Sequence, residues 1–388
     1  MTADADRALL NDIRRIGKEV AGPNADQVDR EARFPSETIA ALRDAKALSA
    51  LVPSDFGGAD VSLSAIATAA FELARHCGAA GMVFAMHQIQ VAVLARHGRG
   101  TPWFDSYMTD VVADQRLIAS VTSEVGTGGD LGRSIASVEP AGDAQPTVRS
   151  FQKQATTVSY GEYADDLLTT LRRGPDAEPG DQVMVLSTRG QAELRQQGTW
   201  DPLGMRGTCS PSFIVEARFP AAQILDTPFS RVAAESMVPV SHLLWSHVWL
   251  GLATDAFDRA KAFVRAGARQ HPGEIPAAAR RLSALMTELA LLRGEVTSAL
   301  RAFLESSAQE LNTMASAVRF NTLKVAASEQ APKVCLGALN VCGIVGYKND
   351  TEFSVGRHLR DVLSAPLMVT NERIHETNAS LLLIAKDV

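Results

Sequence analysis

The feature that most constrains this chain is the order in which its residue patterning changes. The first ~115 residues carry helical spacing. Ile39, Leu42, Ala45 and Leu48 recur at steps of three, and Leu63, Ile66, Ala70 and Leu73 at steps of three and four. From about 116 to 222 the pattern becomes short apolar runs bounded by Gly, Pro and Asp. Examples are Leu117-Ile118-Ala119-Ser120-Val121 and Val183-Met184-Val185-Leu186. From about 230 onward helical spacing returns, with Leu250, Ala253, Phe257, Ala260 and Val264 in one stripe. Leu282, Leu285, Leu289, Leu292 and Val296 form the next, after Pro272 and Pro276. A doubly wound sheet alternates strand and helix; this chain segregates them. The expected fold is therefore α+β and mostly α: an N-terminal helical domain over 1–115, a β-barrel or sandwich domain over 116–222, and a C-terminal four-helix bundle over 223–388. The last two bundle helices are expected over about 312–343 and 360–385.

Composition agrees and narrows the function. Apolar residues make up 46% of the 388, enough for more than one core, whereas aromatics make up 6%, which favours Ala- and Leu-rich helix packing. A net charge of -6 without a basic run argues against nucleic-acid binding. The four cysteines form no Cys-x-x-Cys pair, so neither a metal site nor a disulfide framework is expected. The first residues mix acids with bases, unlike a signal peptide, and no uninterrupted apolar run approaches membrane-spanning length. A cytoplasmic protein is expected by elimination.

Three segments stand out. Glu124-Val125-Gly126-Thr127-Gly128-Gly129-Asp130 follows a strand, and consecutive glycines free backbone N–H groups to converge on an anion. It is not the Gly-x-Gly-x-x-Gly dinucleotide pattern, and taken alone a plain glycine-rich turn is the favoured reading over a phosphate or cofactor loop. Leu203-Gly204-Met205-Arg206-Gly207-Thr208-Cys209-Ser210 precedes another strand and reads as a hairpin with a surface Arg or as a binding loop. Gly343-Ile344-Val345-Gly346-Tyr347 closes a long helix, as C-cap glycines do, and precedes Arg360-Asp361.

In this order and at these separations the segments resemble the acyl-CoA dehydrogenase family, flavoproteins of fatty-acid metabolism that oxidise acyl thioesters. Phe34-Pro35, the Val52-Pro53 to Gly58 turn and Glu72-Leu73-Ala74-Arg75 extend the likeness to nearly all of 33–388. The resemblance implies FAD held between the β domain and the C-terminal bundle. Its cofactor-binding residues would be Ser123, Gly128, Gly129, Thr157, Ser159 and Thr370. Arg269, Asn340 and Gly343 would reach the FAD of a neighbouring subunit. Gly129 replaces a serine of the family loop, and Thr157 falls at a flavin-side Trp. The resemblance further implies a homodimer or homotetramer, an acyl thioester on CoA or a carrier protein, and reoxidation by an electron-transfer flavoprotein.

The family's base is the Glu of a Tyr-Glu-Gly-Thr segment shortly after Arg-Asp. Counting without gaps puts Val369 there; one deletion puts Met368 there. The alternative base position on the first C-terminal helix falls near Ser241-His242. Three readings remain open: a dehydrogenase with a displaced base, for which His87 and His242 are the candidates; a flavin-dependent monooxygenase of the same fold; or a non-catalytic partner of a heteromeric enzyme.

Overall fold

The computed structural model describes residues 2–142, 147–270 and 272–385. Six helices come first: α1 Thr2–Ile16, α2 Gly22–Glu31, α3 Ser36–Asp44, α4 Leu63–His76, α5 Gly78–His97 and α6 Pro102–Asp114. The side chain of Ser62 caps α4 by accepting from Ala65 N–H, and Asp6 of α1 accepts from both Ser62 N and Oγ. α5 is the interior helix. It is apolar on every side, and Met82, Val83, Phe84, Ala85, Ile89, Val91, Val93 and Leu94 are all buried. By length and composition it could cross a membrane, unlike anything the sequence runs suggested; here 83% of its apolar window is buried inside the fold.

The middle of the chain forms two sheets. A mixed three-stranded sheet has the order β1-β4-β5 (Ile118–Val121, Asp166–Arg172, Gln182–Thr188), with β1 parallel to β4. An antiparallel four-stranded sheet has the order β2-β3-β7-β6, where β2 is Glu139–Pro140, β3 Val148–Ala155, β6 Ala192–Gln197 and β7 Ser212–Pro220. β4 and β5 are buried along almost their whole length, whereas β6 lies largely exposed at its sheet edge.

Helices then resume. α7 is Phe229–Val232, α8 Val238–Gln270, α9 Ala278–Glu305, α10 Ala308–Leu311 and α11 Met314–Cys342. α8, α9 and α11 pack on one another, α11 carries α14, and α8 also packs on α4 and α5. The expected continuous helix over 360–385 is instead broken. α12 (Ile344–Tyr347) and α13 (Gly356–Val362) lead to a segment over 363–370, and α14 runs Asn371–Leu382. Pro366 removes an N–H donor there, and Val369 adopts φ +53°, which no α-helix continues.

One junction joins the three regions. Asp361 is buried, and its Oδ1 accepts the Met205 N–H at 2.6 Å. Arg360 forks onto both carboxylate oxygens of Asp29 in α2, and its Nη1 donates to Leu203 O at 3.1 Å. Arg206 Nε donates to Asp29 O at 2.8 Å. The backbones meet so closely that a β-carbon on Gly204 would lie 2.0 Å from Arg360 O. Gly204→Ala is expected to lower unfolding free energy by about 3 kcal/mol. Gly174→Ala, where nothing lies within 4 Å, should change it by no more than about 0.5 kcal/mol. Thermal or urea denaturation of the two variants checks this.

Candidate functional site

The site is built where the glycine-rich loop leaves β1. Glu124 shapes that loop. Its buried carboxylate accepts from Ser134 Oγ at 2.6 Å, Ile135 N at 3.1 Å and Ala136 N at 2.6 Å, which draws residue 136 back towards 124. Lys153 Nζ lies 3.7 Å from it and donates to Thr170 O at 2.7 Å; burial pushes this ammonium down to about 8. Between the closed ends, Gly126, Gly128 and Gly129 have φ of +88°, +60° and +79°, which only glycine adopts without strain. Gly128 and Gly129 are exposed, and among the described residues neither N–H has a backbone acceptor.

Two expected residues meet beside this loop. Ser123 Oγ donates to Thr157 O at 2.7 Å and accepts from Thr157 N at 3.1 Å. Ser159 accepts at 2.9 Å from Ser210 Oγ, which in turn pairs with Thr208 Oγ1 at 2.8 Å. Two hydroxyls of the second motif are thereby chained to Ser159.

From the C-terminal side comes the 363–370 segment. Leu367, Val369 and Thr370 are exposed and Met368 is half-buried. Val369 is β-branched yet left-handed, a costly conformation that glycine would adopt freely. Of the two registers of the sequence reading, a left-handed Val369 suits the one that would set it at the Gly of Tyr-Glu-Gly-Thr, with Met368 at the Glu and Thr370 at the Thr. The turn is held from beneath. Lys324 of α11, fully buried, donates to Val369 O at 2.7 Å and to Asn371 Oδ1 at 2.7 Å. Burial pushes its ammonium down to about 7. Ser328 and Asn371 complete the network.

The two candidate bases behave differently from expectation. His87 is fully buried; its Nε2 bonds Leu48 O at 2.7 Å and its Nδ1 accepts from Ile118 N at 3.1 Å. With both nitrogens committed to backbone, and burial pushing it down to about 4, His87 splices α5 to β1 and has nothing left for a substrate. His242 donates from Nδ1 to Phe320 O at 3.0 Å, and burial together with Lys324 pushes it down to about 3. It is a neutral imidazole whose Nε2 is an acceptor.

Arg269, Asn340 and Gly343 lie apart from this loop, exposed at the ends of α8 and α11. They share one end of the bundle: Arg281, opening α9, donates to Asn340 O at 3.4 Å. Sequence reasoning did not single out Lys324, and it named Met368 only as one of two registers for the family's glutamate. Lys324 left a signal, being a lone cation on the stripe of Leu323, Ala327 and Ala331.

Two family models match: the acyl-CoA dehydrogenase N-terminal domain over residues 3–101 and the acyl-CoA dehydrogenase C-terminal domain over 233–374. Cyclohexane-1-carbonyl-CoA dehydrogenase of Geobacter metallireducens is 25% identical over 227 residues, 58% of each chain. Human mitochondrial short-chain specific acyl-CoA dehydrogenase is 24% identical over 358 residues, covering 91% of this chain and 84% of that one. Among solved structures, KijD3 in complex with FMN and a dTDP-sugar has a TM-score of 0.84 at 23% identity, covering 99% and 95% of the two chains. Butyryl-CoA dehydrogenase of Megasphaera elsdenii has 0.80 at 17%, covering 98% of both. Dibenzothiophene monooxygenase of Paenibacillus sp. A11-2 has 0.78 at 18%, covering 98% and 97%. At these identities the structures establish the fold.

Two outcomes follow. His87→Ala should cost roughly 2–4 kcal/mol of stability, from the emptied volume and two orphaned backbone groups. Cofactor content of the folded fraction should stay unchanged; its loss at unchanged stability would count against a structural role. For Lys324, the unfolded chain keeps its proton up to about 10.5 and the folded one to about 7. Between those values the unfolded state binds more protons, so stability gains from this residue as pH rises. Urea unfolding at pH 7 and 9.5 should show wild type gaining on Lys324→Met over that range; a constant difference would reject it.

Proposed function

The chain belongs to the acyl-CoA dehydrogenase family, and from that premise we propose that it is a flavin-dependent oxidoreductase of an acyl thioester that works without a carboxylate at the family's glutamate position. The site residues fit a flavin. Gly129 leaves open space where a side chain would stand, Gly128 faces a guanidinium, and the N–H groups of both suit a phosphate. The Ser123–Thr157 pair offers polar groups beside them. When bound, the flavin supplies the two-electron acceptor that no amino acid provides.

The protein's own contribution is positioning and proton handling. Lys324 fixes the Val369 carbonyl, and with it the direction in which Met368 and Thr370 project. Met368 can neither take nor give a proton, so it contributes an apolar wall where the family has its base. In this reading a neutral acceptor such as His242 Nε2 takes the α proton. The observation that supports the reading is the left-handed Val369, a conformation suited to the family's glycine, which favours the register with Met368 at the glutamate position.

A second reading has a specific observation in its favour. KijD3 with FMN and dibenzothiophene monooxygenase match the fold across 98% or more of this chain. An oxygenation that removes no α proton needs no carboxylate base. We take dehydrogenation as the primary reading because both family models are those of the dehydrogenases. A homo-oligomer, with Arg269, Asn340 and Gly343 facing a neighbour's cofactor, and reoxidation by an electron-transfer flavoprotein belong to the same proposal.

The test is anaerobic mixing of the purified yellow protein with a series of acyl-CoA thioesters. Bleaching of the flavin band supports dehydrogenation. No bleaching with any chain length, together with oxygen-dependent product formation from reduced flavin, would replace it by the second reading. Met368→Glu should raise the anaerobic reduction rate by about 100-fold or more, the scale of a positioned general base. Val369→Glu should not; the reverse pattern would show the register to be off by one.

A further inference from the structure

We propose that Arg373 is the cation that binds the flavin phosphate, reaching from the first turn of α14 across to the glycine-rich loop of the β domain. The assignment rests on the site being a flavin site and adds to that reading a residue from the same chain.

Four observations converge. A β-carbon built on Gly128 would lie 3.2 Å from Arg373 Nη2, so the guanidinium sits against the glycine pair. Gly129, next in the loop, has nothing within 4 Å of such a carbon and opens to space. The Gly128 and Gly129 N–H groups have no backbone acceptor among the described residues. Arg373 is half-buried, and its side chain makes no hydrogen bond or ion pair among them either.

Arg133, exposed on the loop itself, is the other cation here without a partner among the described residues, whereas the cations deeper in the cleft are committed. Arg360 is held by Asp29, and Arg206 by Asp201 and the Asp29 carbonyl. Lys153 is paired with Glu124 and Thr170, and Lys324 with Val369 O and Asn371. In a chain of net charge -6, an unpaired guanidinium beside two unsatisfied N–H donors is a local surplus of donors and positive charge. An anion with several oxygens satisfies all three groups at once. A guanidinium presents paired donors matched to phosphate oxygens, and consecutive backbone N–H groups form the complementary concavity. The arrangement also answers the serine missing at Gly129: the hydroxyl that the loop lacks is replaced by donors arriving from the other side of the cleft. Phosphate is common to FMN and FAD, and Arg373 acts on that shared group.

The test measures binding. Apoprotein prepared from the holoprotein is titrated with FAD, FMN and riboflavin, following quenching of flavin fluorescence, for wild type, Arg373→Ala and Arg373→Lys. Arg373→Ala is expected to weaken the phosphate-bearing flavins roughly ten- to a hundredfold, the scale of a charged hydrogen bond. Riboflavin affinity and the apoprotein melting temperature should be unchanged, and Arg373→Lys should recover part of the loss. The flavin that wild type binds more tightly is the resident form, and the loss should appear on that form. FAD and FMN affinities within twofold of wild type in Arg373→Ala would overturn the assignment, as would an equal loss on riboflavin. Wild-type protein that binds none of the three flavins overturns the flavin reading itself, and this assignment falls with it.

Discussion

Asp361 gives up solvent to accept one backbone hydrogen bond, from Met205, and the relation of bundle to β domain rests on that contact. Burial pushes its carboxyl up to about 6, so holding it ionised at neutral pH costs free energy. That cost is offset by what the contact anchors. Arg360, the next residue back, clamps Asp29 of the N-terminal helices, and Gly204 lets the two backbones close to van der Waals distance. The glycine loop belongs to the β domain and the 363–370 segment to the bundle. Their separation is set by this hinge-like pair of residues, so the cleft inherits its dimensions from a junction outside it.

The segregation of helix and strand patterning was legible because burial in helices and sheets leaves different periods. The break within 363–370 was not, because Val369 carries no mark of its backbone angle and Pro366 alone does not say how long a helix pauses. Of the candidate site, the glycine pair stood out as a loop with free N–H groups, whereas Ser123 and Thr157 were named only through the family resemblance; the structure brings those two into contact. His87 misled for the opposite reason: a histidine on an apolar helix reads the same whether it faces a substrate or, as here, joins two backbones. Lys324 and Arg373 depend on contacts between distant segments, which spacing along the chain cannot encode.

The chemistry of the cleft is distinguished by its charge balance. Met368, the proposed counterpart of the family's glutamate, precedes Val369, whose carbonyl a buried lysine holds. A carboxylate would have paired with such cations; here Lys324 is held by neutral acceptors and its charge is correspondingly weakened. His242 beside it is neutral for the same reason. The turn and the residues beneath it therefore offer little capacity to accept a proton at neutral pH.

The interior position of α5 has a consequence for how the chain is made. This 20-residue apolar helix is covered partly by α8, whose first residue, Val238, emerges from the ribosome 141 residues after His97. At synthesis rates of roughly 5–20 residues per second, that interval is about 7–30 s. Throughout it the nascent chain displays a surface that lipid or a chaperone would accept as readily as its own later helix. The order of the domains along the chain thus sets a waiting time before this face of α5 can be covered by α8.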